Sequence, residues 1–395
     1  MLEFQTKVSP TSGNRASAFC KPSQLGVSPV RIGNPRLRSV EQTSATPTRQ
    51  AEFRRHKIWI PAVVLEKEVE EFREALRLEP NDAGTYQMLG ADLTGLNRLD
   101  EAEAVYKLSD ERNLPYEGWP KSLYLLAFLE GDQARMARLA ASVAGKRTAE
   151  DAMLGAQADT EAWYGRSRAA RVFIRRAMDS ALNNGAKETA AAHQVKLAPF
   201  EAESGDWEQG RADANAAIKL APNRDVRLVA ALALAQSGDI KSAEKLATEL
   251  DKAFPLDTLV QRYWLPVIRA AIALQRKDPN RAVELLQVAS PLDLASATNI
   301  MNPNLFPVYV RGEAYLMLHD GNRAAAEFQK YITYRGHVRN SPIGMLGRLG
   351  LARAYALQGN TTKARTAYQD FLTTWKDADP DIPILIQAKS EYAKL

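Results

Sequence analysis

The chain has 395 residues, 45% hydrophobic and 25% charged, with four histidines and one cysteine, Cys20. A lone cysteine excludes a disulfide framework and a cysteine-held metal site, and this apolar content is enough for a continuous core. The net charge is +5, but residues 1–65 carry +7 and the remainder −2, so the bulk of the chain lacks the basic stripe of a nucleic-acid-binding array. Residues 1–52 are rich in Ser, Thr, Pro and Arg and show no apolar period, so they are expected to be disordered. They contain no apolar core near Met1 of the kind a secretory signal needs, which points to the cytoplasm. Residues 53–65 follow a different pattern: Arg54, Arg55 and Lys57 precede Ile58-Trp59-Ile60 and aliphatics up to Leu65. That is the layout of the edge of a membrane span, yet the apolar run stops after about eight residues where a span needs about 20. The expectation is a stub that either covers the first hairpin or is what remains of a truncated span.

Residues 66–80 put Val69, Phe72, Ala75 and Leu76 on one helical face. They read as the second half of a hairpin whose first half is missing, and Trp59, Val63 and Phe72 would then offer an apolar face for self-association. From residue 83 onward paired helices follow one another. Tyr86, Leu89, Gly90 and Leu93 precede Ala102 and Tyr106. The turns repeat as Gly131-Asp132, Gly205-Asp206, Gly238-Asp239 and Gly359-Asn360, where Gly caps one helix and Asp or Asn starts the next. His319 is placed in a solvated turn before Gly321-Asn322. Residues 291–306 are looser, with Pro291 and Pro303, and leave open whether the array breaks there. Residues 343–375 show the clearest hairpin. Its Ala352, Tyr355, Ala364, Tyr368 and Phe371 stand 40 positions after Gly312, Tyr315, Ala324, Phe328 and Tyr331. Small residues at the crossing let two helix axes approach to about 8–10 Å. Pro80, Pro222 and Pro255 close second helices, and residues 382–395 form a terminal capping helix with Lys389, Glu391 and Lys394 facing outward.

The Leu-Gly pair, the Ala and aromatic slots and the closing proline resemble the tetratricopeptide repeat. The resemblance implies an all-α fold, a right-handed superhelix of stacked hairpins over residues 66–376, eight or nine units including the leading half. It also implies a concave groove lined by first helices, with Gln87, Asp159, Trp264, Tyr309, Glu313 and Arg353 facing inward. The family's chaperone-binding members hold a terminal carboxylate with Lys and Asn; Gln87 and Ala91 stand at those positions, so that activity does not carry over. The stretch from Arg353 to the closing Tyr392-Ala393-Lys394-Leu395, together with 54–65, is similar to the repeat region of acidobacterial-type receptor Ser/Thr kinases, in which a kinase domain and a membrane span precede the repeats. The resemblance covers 54–395 and includes no kinase domain.

Catalytic signatures are absent from the sequence. His56, His193, His319 and His337 have no HExxH context, no Gly-rich loop follows a strand, and no GxSxG or kinase motif occurs. His193 is expected at the surface or in the groove. The sequence therefore predicts a non-enzymatic scaffold, without cofactor or metal, whose groove takes a protein or peptide and not nucleic acid. The alternative is the detached sensor region of a membrane kinase; a third is an array that binds a small ligand such as an oligosaccharide.

Overall fold

The computed structural model describes residues 62–395 except 115, 148 and 295–304, with side chains from Leu65 onward. The segment 1–52 and most of the stub at 53–65 lie outside the described residues. The described part belongs to one compact unit, Phe53–Leu395, and is helical without strands. Helix α1 (Ala62–Leu78) stands alone. The hairpins follow: α2 (Ala83–Gly95) with α3 (Leu99–Glu111), α4 (Trp119–Glu130) with α5 (Gln133–Ser142), and α6 (Glu150–Trp163) with α7 (Ser167–Asn183). In the next pair the first helix is broken into α8 (Lys187–Val195) and α9 (Ala198–Ser204), followed by α10 (Trp207–Leu220). The break falls where Pro199 has no N–H to give and its ring would meet the carbonyl one turn back. Then come α11 (Arg224–Gln236) with α12 (Ile240–Ala253), α13 (Leu265–Gln275) with α14 (Pro279–Leu286), and α15 (Phe306–Met317) with α16 (Gly321–Thr333). A short α17 (Arg335–Val338) leads to α18 (Ile343–Leu357), α19 (Thr361–Thr374) and the closing α20 (Pro383–Tyr392). A wide π turn, Val260–Trp264, leads into α13.

The turn chemistry is that of the sequence. Gly131, Gly205, Gly238 and Gly359 adopt left-handed φ of 78, 97, 80 and 70°. The following Asp132, Asp206, Asp239 and Asn360 cap the next helix through their side chains. One turn differs from expectation. His319, not a glycine, takes the left-handed position at φ 55°, Asp320 is the cap, and Gly321 opens α16. Gly321 is needed for space there, because a Cβ would lie 2.8 Å from the Ala354 carbonyl oxygen.

Within hairpins one slot recurs. Gly90 faces Tyr106, Gly312 faces Phe328, and Ala352 stands in the same place relative to Tyr368. In the two glycine cases the aromatic of the second helix lies where a larger side chain on the first would go. A Cβ on Gly90 would be 2.3 Å from the Tyr106 ring. The most enclosed first helix is α11, where Val226 and Leu228 through Gln236 are all buried, whereas α4 buries only Tyr124 through Ala127. Second helices bury one stripe; α12 buries Ala243, Ala247 and Leu250. One core runs from α6 to α20 and includes Trp264, Phe306, Phe328 and Trp375. It is continuous on both sides of Pro291, through Leu292, Leu294 and Leu305. Smaller clusters lie around Val69, Leu89 and Tyr106, and around Tyr124, Met136 and Met153. The fold is an α-solenoid of tetratricopeptide-like hairpins.

The solenoid also closes on itself. Asn97 accepts from the Gly336 N–H at 2.8 Å and donates to the Thr333 carbonyl at 3.0 Å. Asn340, wholly buried, donates to the Ala156 carbonyl and the Thr160 hydroxyl at 2.8 and 2.9 Å. The Trp375 indole N–H donates to the Trp163 carbonyl at 2.8 Å, and the Asp379 N–H to Gly165 at 3.0 Å. Residues 333–344 thus meet α6 and the turn after α2, and 375–383 meet the end of α6 and the turn into α7.

Phe328 is pinned from two sides, since a Cβ on Gly312 or on Gly350 would lie 2.6 or 2.5 Å from its ring. Gly350→Ala is therefore expected to cost about 1–3 kcal/mol by overpacking, read as a lower denaturant midpoint with unchanged slope. The double variant with Phe328→Leu should recover part of that loss.

Candidate functional site

Two clefts lie on the inner helices, and only the second is walled by the inserted segment 335–341. The first is about 470 Å³ and is lined from successive first helices by Lys121 (α4), Asp151 (α6), Glu188 and His193 (α8), and Asp225 (α11), with Lys196 just beyond α8. His193 Nε2 lies 3.2 Å from Asp151 Oδ2, so this histidine is a buried groove residue and not a surface one. Lys196 pairs with Asp159 at 2.7 Å, both nearly inaccessible, and also donates to the Gly155 carbonyl. Lys121 has no ion-pair partner among the described residues. Burial, reinforced by the nearby Lys196 charge, pushes its ammonium down to about 8. The cleft therefore offers an amine that holds its proton less tightly than an ordinary lysine, beside the Asp151–His193 pair.

The second cleft, about 610 Å³, lies where the C-terminal ends of α4 and α6 meet the returning chain. Its walls carry Arg166, Arg335, Arg339, Arg348 and Lys376 against one carboxylate, Asp377. Arg166 is neutralised by Glu161. Arg335, Arg339 and Arg348 form no ion pair with any described carboxylate. Arg335 donates to the Leu129 carbonyl, and Arg339 reaches the carbonyls of Gly336 and Ala91 at 3.3 Å. The Arg348 Nε is buried without a hydrogen-bond partner. Burial first, then the Arg335 charge, lowers the proton affinity of Arg348, while Asp370 partly offsets both. The aromatic wall is already engaged. Phe128 meets Trp163 edge-on at 5.4 Å, Arg348 lies 5.6 Å above Trp163, and Arg166 lies 4.9 Å above Tyr164.

The residues expected to face a groove fall into three settings. Tyr309, Glu313 and Arg353, from α15 and α18, converge in one buried network. Tyr309 donates to Glu203 at 3.2 Å, while Arg353 and Tyr368 both donate to Glu391 at 3.0 Å. Burial, then the neighbouring Glu313, pushes Glu203 up to about 8, and burial also raises Glu313. Asp159 lies in its ion pair beside the first cleft. Gln87 exchanges hydrogen bonds with Ser122 at 3.0 and 3.1 Å, and Trp264 packs in the core against Tyr263 and Phe306. Of the residues expected to support self-association, Trp59 lies outside the described residues, and Phe72 packs against the Val69–Leu89 cluster. Sequence reasoning missed Lys121, Arg335 and Arg348. A cation inside an apolar run, such as Arg348 in Gly344-Met345-Leu346-Gly347-Arg348-Leu349, was the available signal.

Among the described residues no cluster of His, Cys, Asp or Glu is placed to hold a metal, and no helix is long and apolar enough to cross a membrane. No family model matches the chain, and no curated protein does. Solved structures do resemble it. Yeast Tom70 aligns over 84% of this chain and 85% of its own at 13% identity with a TM-score of 0.41. The human IFIT1 dimer with m7Gppp-AAAA aligns over 80% and 74% at 15% identity and 0.39. The TPR domain of P58(IPK) aligns over 82% and 83% at 16% identity and 0.26.

Two outcomes follow. A Cβ on Gly336 would fall 1.9 Å from the Thr94 carbonyl oxygen. Gly336→Ala should therefore cost about 2–4 kcal/mol and speed amide exchange at the end of α2 more than in α11–α12. For Lys121, the native amine releases its proton near pH 8 and the unfolded one near 10.5. Below pH 8 both states are charged and the burial penalty is fully present; it fades as pH rises to about 10.5. Lys121→Met is expected to raise stability at pH 7 by about 1–3 kcal/mol, with the gain shrinking towards pH 10.5 in parallel denaturant titrations.

Proposed function

We propose that the chain is a non-enzymatic interaction scaffold that binds a protein or peptide partner at its inner helices, with the arginine cleft as the point of attachment. The observation that supports this is the cleft itself: several cations that form no ion pair with a described carboxylate, gathered in an open mouth where the returning chain meets the ends of α4 and α6. An extended acidic segment fits it by charge, and the volume accommodates a few side chains. The closed ring restricts the groove, so the partner is read by this mouth and not along the full concave face. In this reading the scaffold works in the cytoplasm.

The kinase-sensor alternative rests on the similarity of 353–395 together with 54–65, the latter largely outside the described residues. Its key residues have local structural work here: Arg353 and Tyr368 hold Glu391, and Tyr368 packs on Tyr392. That stretch serves to dock the capping helix whatever its ancestry, so the free-standing scaffold is the reading we favour.

The test is selection from a displayed peptide library, followed by hydrogen exchange on the whole chain with a selected peptide. Protection at the ends of α4 and α6 and at 335–348 is expected. Peptides that protect only the outer second helices, or a library that yields no binder, would sink the reading.

A further inference from the structure

We propose that the arginine cleft is a receptor for a phosphate monoester carried on the partner peptide, with Arg335, Arg348 and Lys376 as the groups that hold the phosphate. This rests on the scaffold reading and specifies the chemistry of its partner.

Three observations lead to it. First, the cations come from three separate segments: α17, α18 and the turn after α19. Closure sets them against the ends of α4 and α6, and the arrangement is anchored by Asn340 and by the Trp375–Trp163 bond. Secondly, the cations are only partly compensated: Arg335 meets a neutral carbonyl of Leu129, and the Asp370 charge offsets only part of what burial and Arg335 do to Arg348. Arg348 has a buried Nε with no acceptor, Arg335 is near enough to weaken its hold on the proton, and the loose 3.8 Å contact of Lys376 with Asp377 is exposed on both sides. A carboxylate would bring one charge and two oxygens. A phosphate monoester brings about −1.5 to −2 charge and three acceptor oxygens, which matches convergent guanidinium and ammonium donors better. Thirdly, the aromatic wall argues against a nucleotide. Arg348 covers one face of Trp163, Phe128 abuts it, and Arg166 covers Tyr164. A nucleobase would have to displace a guanidinium to stack, whereas a phosphorylated side chain needs only the donors. The remaining space, in a cleft of about 610 Å³, is large enough for the residues that flank the modified one.

The experiment uses the full chain. Binding is measured by fluorescence polarisation with a degenerate phosphothreonine peptide pool, the same pool with threonine, inorganic phosphate as competitor, and a tetra-adenylate. The phosphopeptide pool should bind at least tenfold more tightly than the threonine pool, and inorganic phosphate should compete only at much higher concentration. Arg335→Gln with Arg348→Gln should abolish this difference, and Lys376→Gln, at an exposed position, should reduce it severalfold without any effect on folding. Arg323→Gln, an exposed position in α16 outside the cleft lining, should leave it unchanged. Equal binding of the two pools at the cleft overturns the phosphate proposal and leaves the scaffold reading standing. No binding of either pool, with tetra-adenylate bound through Arg348, overturns both. Binding of inorganic phosphate with no gain from the peptide shows a free-anion site and overturns the proposal as well.

Discussion

A helix enclosed on every side has no water to satisfy its polar groups, and this constraint governs the inner helices here. Burying an amide or hydroxyl without a partner costs more than the bond returns when it is made. Most polar residues buried inside the array therefore meet a partner from a neighbouring element, Arg348 Nε being an exception. Asn340 finds Ala156 and Thr160, Lys196 finds Asp159, Tyr309 finds Glu203, and Arg311 lies between Asp293 and Glu327 at 2.6 and 2.9 Å. An open solenoid would leave these groups to solvent on its concave face. The return of residues 333–383 into that face removes the solvent and makes the pairing compulsory.

This is also why the sequence was legible in one direction only. Repeat signals encode contacts between a helix and its immediate successor. The spacing from Gly312 to Phe328, and from Ala352 to Tyr368, states a hairpin because ring and small residue must coincide at a crossing. The Gly-Asp turns state its end for equally local reasons. Closure has no such code. Asn97 meets Gly336 across 239 positions and Trp163 meets Trp375 across 212, and no period links them. Asn340-Ser341-Pro342 reads as an ordinary turn, while in the fold Asn340 is a buried anchor. The inward positions Tyr309, Glu313 and Arg353 were placed by repeat register, and register cannot say whether an inward side chain meets a groove or another part of the chain.

The departures from a regular array lie where local chemistry overrides the repeat. Pro199 splits the first helix of the fourth full hairpin, and Lys196, freed at that break, turns its ammonium to the Gly155 carbonyl and to Asp159. The π turn at Val260–Trp264 delivers Trp264 into the core beside Phe306, a placement that a regular helix with an inward groove residue would not give.

The arginine cleft stands apart because closure creates it and the same charges oppose closure. Sequence separation adds little to the entropic cost of bringing the ends of the array together, since that cost grows only as (3/2)RT ln n. Helical neighbours form from local contacts before such a distant seam can. Arg335, Arg339 and Arg348 meet the early hairpins only once the seam is shut, so the cost of taking them out of water falls on this last step, against the return from the Leu129 and Ala91 carbonyls and the Trp163 ring. Neutral residues there would make the ring more stable, and the interactions of Asn97, Asn340 and Trp375 must offset what the cations cost. An anion in the cleft would remove that opposition, so its binding and the shutting of the seam must favour each other by the same free energy. The charges thus couple the state of the ring to the occupancy of its mouth, a property that an uncharged seam of the same shape would not have.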